Sequence, residues 1–180
     1  SEELLERLDA GAVGITVFHG KQQIQQAYKQ FAQEGQKNIK LIQGAMFCVE
    51  YFKNKENRKN QANLTDQIRK KHIFVDGITT WENINAVKDF PLEHAKLHLD
   101  RLYSIAIIPD ALVDFSLEIV MTDTTVLLVS PKENTVTRIE NTEIVASYHA
   151  YFELLRRHAK KINIHEYIQK VIAEKELKKG

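Results

Sequence analysis

The chain has 180 residues, of which 43% are hydrophobic and 27% are charged, a composition typical of one soluble globular domain with its own core. Its net charge of +1 excludes an overall electrostatic attraction to nucleic acid or to a membrane surface. The single cysteine, Cys48, excludes an internal disulfide and a multi-cysteine zinc site, and it favours a cytoplasmic location. No apolar run reaches the length of a membrane-spanning helix.

The first eight residues, SEELLERL, place three leucines on one stripe of a helix: Leu4, Leu5 and Leu8. We expect residues 1–12 to be the end of a linker or coiled-coil helix that arrives from a missing upstream domain. A frayed terminal helix is the alternative interpretation. Residues 13–180 are then expected to form a single α/β domain.

A strand, a helix and a second strand follow in order. Residues 13–19 and 38–43 have the composition of strands, and residues 21–34 form an amphipathic helix that ends at Gly35. The short connections predict a right-handed parallel crossover. Residues 45–71 are predicted to be mostly helical, and their many basic residues indicate a solvated face rather than a nucleic-acid surface, because no aromatic residues interleave. A third strand is predicted over residues 73–75.

Two short helical pieces are predicted around Pro91, and a strand over residues 103–108. Residues 115–141 then predict three consecutive strands joined by turns at 122–125 and 131–134. The middle strand, residues 126–129, is apolar on both faces and should lie centrally in a sheet that is covered on both sides. Helices are predicted over residues 143–161 and 164–177.

The string most suggestive of catalysis is His94-Ala95-Lys96-Leu97-His98-Leu99-Asp100. Phospholipase-D-type enzymes use His-x-Lys followed, after four residues, by Asp, whereas here the gap is three residues. His94 and His98 are also spaced to share one helix face for a metal, but Ala95 stands where a catalytic zinc helix carries Glu. We therefore interpret both histidines as surface residues, Cys48 as a core residue, and we predict no catalytic residue, metal or cofactor.

Polar residues stand where parallel strands are predicted to end, which is where ligands gather in an open α/β sheet. We predict a ligand-binding cleft formed by His19, Gly20, Gln43, Arg101, Glu118, Arg138, Glu140 and Asn141. The alternative is structural: Glu118 and Arg138 form a cross-strand surface ion pair, and Asn141 only caps the helix that follows it.

The order of these features resembles a known family. The residues that carry the resemblance are 15–24, 38–42, 101–107, 118–129 and 137–155, so it covers roughly residues 13–160. Over this range the chain resembles the C-terminal effector domain of TrmB-type transcriptional regulators, which is similar in fold to one phospholipase D half without the catalytic motif.

The resemblance implies an α/β fold in which a mixed β-sheet is flanked by helices on both faces as a three-layer sandwich, with a C-terminal helix pair. It also implies an effector-sensing and dimerisation domain of a cytoplasmic transcriptional regulator. Such a domain forms a homodimer, binds a sugar-like small molecule, and meets DNA only through an N-terminal domain missing from this chain. Two alternatives stay open: a divergent phosphodiesterase that uses His94 and Lys96, and a protein-interaction module without a small-molecule ligand.

Overall fold

In the computed structural model, which describes residues 14–34 and 36–178, one mixed sheet of eight strands forms the centre of the protein. The strands are β1 Gly14–His19, β2 Asn38–Gln43, β3 Phe74–Thr79, β4 Tyr103–Ile107, β5 Glu118–Met121, β6 Val126–Ser130, β7 Thr135–Glu140 and β8 Lys160–Ile162. The helix predicted within residues 1–12 and the helix stop predicted at Gly35 lie outside the described residues.

Helices cover this sheet. They are α1 Gly20–Gln33, α2 Phe47–Tyr51, α3 Glu56–Lys70, α4 Trp81–Asn85, α5 Leu92–Lys96, α6 Thr142–Arg156 and α7 Ile164–Leu177. Helix α6 begins where it does because the Asn141 side chain accepts a hydrogen bond from the backbone N–H of Ile144 at 2.9 Å. Within the described ranges, no helix is long and apolar enough to cross a membrane.

The strand order is β1-β7-β6-β5-β2-β3-β4-β8. Strands β2, β3 and β4 are parallel neighbours, and every other neighbouring pair is antiparallel. The three strands predicted over residues 115–141 are present as β5, β6 and β7, and β6 lies between the other two. The predicted mixed sheet and the central position of residues 126–129 are confirmed.

The two faces of the sheet carry different helices. On one face, α1, α2 and α3 pack on a core that includes Phe18, Phe31, Phe47, Tyr51, Ile68, Val75, Val120, Leu127 and Val136. Helix α7 packs on the same face over β4, around Ile105. On the opposite face, α6 packs on Ile42, Ile78, Met121 and Val126 through Val145, Phe152 and Leu155. The predicted three-layer α/β sandwich with a C-terminal helix pair is therefore confirmed.

Three predicted elements differ from the structure. The parallel crossover predicted from β1 to β2 does not join neighbouring strands. Strand β1 is an edge strand whose only described neighbour is β7, and three strands separate it from β2, which runs in the same direction. The helix predicted over residues 143–161 is wrong at its end, because residues 160–162 form β8 against β4. Strand β3 runs to Thr79, four residues beyond its predicted end. These differences arise from pairing between distant segments, which local patterns do not encode.

A close backbone contact fixes the end of β2. An added Cβ on Gly44 would lie 2.1 Å from the carbonyl oxygen of Phe115, so only glycine fits there. The Gly44 N–H donates to the carbonyl of Leu117 at 2.9 Å and thereby joins the end of β2 to the approach of β5. This contact brings Gln43 and Glu118, which are paired in register, side by side.

Candidate functional site

A cavity of about 180 Å³ lies between the sheet and the helices α1, α2, α3, α4 and α7. Most of its wall is apolar, and hydrophobic residues of β2, β3, β4, β5 and β6 form its floor. Its polar lining residues are Tyr28, Gln43, Cys48, Tyr51, Gln61, Thr65, Thr79, Asn83, His98, Arg101, Tyr103 and Glu118. An apolar space with a few convergent polar groups is typical of a small-molecule site.

Glu118 begins β5 beside the carboxyl end of β2, and its side chain bonds to that of Gln43. The Gln43 Nε2 donates to Glu118 Oε2 at 2.7 Å, and Thr79 Oγ1 donates to Gln43 Oε1 at 2.9 Å. The three side chains therefore join β5, β2 and β3. No other side-chain donor of the described residues bonds to the Glu118 carboxylate.

Asn83 extends this chain of hydrogen bonds into α4 and α2. Its Nδ2 donates to Thr79 Oγ1 at 3.2 Å and to the carbonyl of Gly44 at 2.8 Å, while its Oδ1 accepts from the Cys48 N–H at 3.0 Å. The amide thus fills the space between the ends of β2 and β3. Because every polar atom of Asn83 is bonded within the protein, we assign it the role of fixing the cavity wall.

Burial sets the protonation of Glu118. It raises the pKa of this carboxyl group from 4.5 to about 7, against the opposing effects of the Gln43 hydrogen bond and the positive charge of Arg101. Glu118 nevertheless keeps some accessible surface, as a side chain that faces a cavity does. At neutral pH the group therefore exchanges between its charged and neutral forms.

Arg101 brings the opposite charge to the cavity from the segment that precedes β4. Its Nη1 lies 3.3 Å from Nδ1 of His98, and its guanidinium lies 4.8 Å from the centre of the Tyr103 ring. Burial lowers the pKa of Arg101, although Tyr103 and Glu118 raise it. Among the described residues, no carboxylate forms an ion pair with Arg101.

The part of the cavity wall formed by His98, Arg101 and Tyr103 is called the Arg101 end. Three of its buried polar atoms have no protein partner among the described residues: Arg101 Nε, His98 Nε2 and the Tyr103 hydroxyl. Burial, followed by the charge of Arg101, lowers the pKa of His98, so this imidazole is neutral. Since the guanidinium can only donate, His98 Nδ1 accepts and Nε2 carries the proton. The Arg101 end therefore presents several unused hydrogen-bond donors.

Aromatic rings surround the other end of the cavity. The rings of Phe47 and Tyr51 stack with centroids 5.2 Å apart, and Phe52 meets Tyr51 edge-on at 5.1 Å. Burial is the largest cause of the raised pKa of both Tyr28 and Tyr51. These two tyrosines also line a neighbouring cleft of about 350 Å³ that carries Lys21, Lys53 and Lys132, so they separate it from the cavity.

Of the eight predicted ligand residues, Gln43, Arg101 and Glu118 lie together in the cavity wall. The other five do not line it. His19 is exposed at the end of β1, and the N–H of Gly20 donates to the carbonyl of Asn134. The function predicted for these five residues stays a prediction.

Arg138, Glu140 and Asn141 have structural partners. Arg138 pairs with Glu34 at 2.5 Å and with Glu140 at 3.0 Å. The alternative ion pair between Glu118 and Arg138 is wrong, because β6 lies between their strands. The helix cap expected of Asn141 is confirmed by its bond to Ile144.

The two histidines expected at the surface are buried, which is a further correction. His94 stacks on Phe90 with ring centroids 4.0 Å apart and bonds to Gln61. Burial, with the nearby charge of Arg58, lowers the pKa of His94 to about 4.

The lysine of the same string, Lys96, faces two carboxylates instead of the His94 ring. It pairs with Glu176 at 3.4 Å and with Glu93 at 3.7 Å. No group of three or more His, Cys, Asp or Glu side chains in the described part of the chain could hold a metal ion.

Sequence reasoning missed Tyr28, Tyr51, Thr79, Asn83, His98 and Tyr103 as cavity residues. Thr79 is the one with a usable signal, because it ends a third parallel strand, but β3 was predicted to stop at Val75. Cys48, predicted to be a core residue, is half-buried in the cavity wall, and burial raises the pKa of its thiol.

No protein-family model and no curated protein matches the chain. Its fold does match solved structures. Nuc from Salmonella typhimurium, a phospholipase D family member, gives a TM-score of 0.54 at 9% identity over 83% of this chain and 98% of that chain. NucT from Helicobacter pylori gives a TM-score of 0.50 at 11% identity over 83% and 99%. The fold is therefore phospholipase-D-like.

A third structure with this fold is TrmBL2, an archaeal chromatin protein that binds DNA. The TM-score is 0.53 at 14% identity, and the match covers 88% of this chain. The chain corresponds to 57% of the length of TrmBL2. The likeness to a TrmB-type protein, predicted from residues 13–160, is confirmed at the level of the fold, which is all that such low identities establish.

Proposed function

We propose that this chain is the effector-binding domain of a transcriptional regulator, and that the cavity beside Glu118 holds a small-molecule effector. The observation that carries the proposal is the pair of half-buried, opposite charges, Glu118 and Arg101, which line one cavity without pairing to each other. Buried charges in proteins are ordinarily paired, so groups left open toward a cavity favour a ligand.

The regulatory part of the proposal rests on the likeness to TrmBL2, which binds DNA and of which the chain matches 57%. DNA binding is assigned to a segment outside this chain, and the domain is proposed to act as a cytoplasmic homodimer. In such a regulator, the effector must bind two arrangements of the subunits with different affinity. The hydrogen bonds from Glu118 through Gln43 and Thr79 to Asn83 offer a physical path from the cavity to α2 and α4.

Ligand binding is tested by thermal unfolding of the chain with a panel of sugars, organic acids and amino acids. We expect at least one compound to raise the melting temperature, and Glu118→Gln or Arg101→Met to weaken its binding. The matched controls are Glu133→Gln and Arg157→Met, which alter exposed side chains outside the cavity. Equal weakening by the controls, or no response to any compound, would favour an interaction module whose cavity is only a packing defect.

Self-association is tested separately by sedimentation equilibrium. The proposal expects a dimer at micromolar concentration, with or without ligand. A strict monomer up to about 100 µM, a dissociation constant that corresponds to about −5.5 kcal/mol, would remove dimerisation from the function of this chain.

The likeness in fold to Nuc suggests a second hypothesis, in which this chain is a phosphodiesterase. The local chemistry disfavours it, because His94 is buried against Phe90 and Lys96 pairs with Glu176. We expect no hydrolysis of bis(p-nitrophenyl) phosphate at high protein concentration. Hydrolysis that disappears in His94→Ala, while the variant stays folded by circular dichroism, would establish an enzyme instead.

A further inference from the structure

The two half-buried charges reach the cavity from opposite ends of the parallel strands. Arg101 precedes β4, at the amino ends of the parallel strands, whereas Glu118 adjoins the carboxyl end of β2. They are close enough for each to affect the pKa of the other, yet no direct ion pair of the described residues joins them. Any molecule that fills the space between them meets a cation at one end and a carboxylate at the other.

The Arg101 end is chemically suited to an anion. Among the described residues, Arg101 Nε and His98 Nε2 are donors without a protein partner. The hydroxyl of Tyr103, whose ring centre lies 4.8 Å from the guanidinium, also has none. A guanidinium binds a carboxylate through two parallel hydrogen bonds, which a neutral hydroxyl cannot accept in the same way. Three such groups in the wall of one cavity favour a carboxylate over an uncharged ligand group.

The Glu118 end is chemically suited to an ammonium group. Gln43 bonds to Oε2 of the carboxylate and leaves Oε1 for another donor. Tyr28 and Tyr51 are near enough for the charge of Glu118 to raise the pKa of both phenols. A carboxylate beside aromatic rings is the combination that attracts an ammonium ion in proteins, through charge and cation–π contact.

The size of the cavity limits the ligand. A cavity of about 150 Å³ accommodates benzene, so 180 Å³ accommodates a molecule of about six to ten non-hydrogen atoms. Nucleotides and disaccharides are too large for this space. A neutral pentose, with ten non-hydrogen atoms, is small enough, but it would leave both Arg101 and Glu118 without a counter-charge.

We propose that the cavity binds a small zwitterion of the amino-acid class, with its carboxylate at Arg101 and its ammonium group at Glu118. This inference rests on the proposed function, because it specifies the effector of the same site. It differs from the sugar-like ligand that the family resemblance implies.

The test uses free L-amino acids and ω-amino acids such as 4-aminobutyrate, each with its N-acetyl and its amide derivative, and a set of neutral monosaccharides. Binding is measured by thermal shift and by isothermal titration calorimetry at about pH 8, where Glu118 is charged. We expect at least one free zwitterion to bind, and capping of either charged end to weaken binding about tenfold or more.

Two variants test which charged group of the ligand contacts Arg101 and which contacts Glu118. Arg101→Met is expected to remove the preference for a free carboxylate over its amide, and Glu118→Gln to remove the preference for a free amine over its N-acetyl form. Glu133→Gln and Arg157→Met should keep both preferences. Far-ultraviolet circular dichroism checks folding, and if Arg101→Met unfolds, Arg101→Lys tests the same end by weakening carboxylate binding while the charge is retained.

The outcomes separate this inference from the proposed function. Binding of neutral monosaccharides without binding of zwitterions would overturn the inference and support an effector domain. Binding of capped and free forms with equal affinity would likewise overturn it. Absence of binding by every compound would overturn both.

Discussion

The sharpest prediction concerns the charge of Glu118. Burial raises the pKa of this group from 4.5 to about 7, so between these values the folded chain holds a proton that the unfolded chain releases. The contribution of Glu118 to the free energy of unfolding is therefore full below pH 4.5, falls by about 1.4 kcal/mol per pH unit, and is lost above pH 7. The total loss is about 3 kcal/mol.

The substitution Glu118→Gln removes this titration while it keeps the shape of the side chain and its bond to Gln43. We expect the free energy of unfolding of the variant, minus that of the unchanged chain, to rise by about 3 kcal/mol between about pH 4.5 and pH 8. This difference corresponds to a relative gain of about 6–12 °C in melting temperature for a chain of this size.

Urea unfolding at several pH values, followed by circular dichroism, measures this difference. Comparison of two chains at each pH cancels the titration of the other carboxyl groups. Glu133→Gln serves as the control, since Glu133 is exposed in the turn between β6 and β7 and its substitution should change stability by less than about 0.5 kcal/mol at every pH. A pH-independent difference for Glu118→Gln would show that folding does not perturb this carboxyl group, and would remove the basis for a desolvated charge in the cavity.

Further substitutions test the surroundings of the site. Gly44→Ala places a Cβ against the Phe115 carbonyl and should cost at least about 3 kcal/mol in urea unfolding; full stability would contradict the close contact. Asn141→Ala should lower the free energy of unfolding by about 1 kcal/mol because the α6 cap is lost, and the affinity for any compound that binds should not change. Arg138→Met should lower the free energy of unfolding by about 1–2 kcal/mol, because Glu34 and Glu140 lose their partner, and the affinity for any compound that binds should again not change. Weakened binding in either of the last two would restore those residues to the ligand site.

Local patterns in the sequence were sufficient for two elements with clear boundary residues. The bounds of β2 and α7 were predicted as they occur, because Gly44 follows Asn38–Gln43 and Asn163 precedes Ile164–Leu177. Strand β8 was missed because its three residues, Lys160–Ile162, form a strand only through pairing with β4. Its existence depends on a partner more than 50 residues away, which no local window contains.

The early end predicted for β3 has a different cause. Asp76-Gly77 has the composition of a turn, yet the pair continues the strand. A Cβ on Gly77 would lie 2.8 Å from Cδ1 of Ile105, the movable end of that side chain, and the glycine has an ordinary strand conformation. A glycine within a strand looks the same in sequence as a glycine needed for a turn.

The candidate site could be predicted in part. Gln43 was found because it ends a parallel strand, and Glu118 and Arg101 were found because they are charged residues next to strands. The burial of His98 was not predicted. Its ring stacks on those of Phe90 and His94, with centroids 6.0 Å and 5.8 Å apart, and the spacing of the residues along the chain does not specify these contacts.

The edge position of β1 has a consequence for the order in which the chain folds. Gly14 pairs with Glu140 and His19 with Thr135, so at least 116 residues separate each residue of β1 from its partner. At a synthesis rate of about 5–20 residues per second, β1 waits about 6–25 seconds on the ribosome before β7 exists. Ile15 and Val17 are exposed without a partner strand throughout that interval, and they stay 54% and 41% exposed afterwards. Among the described strands, β1 is thus the first to be made, and it can join the sheet only after β7 is made, which leaves it open to pairing with a second nascent copy in the interval.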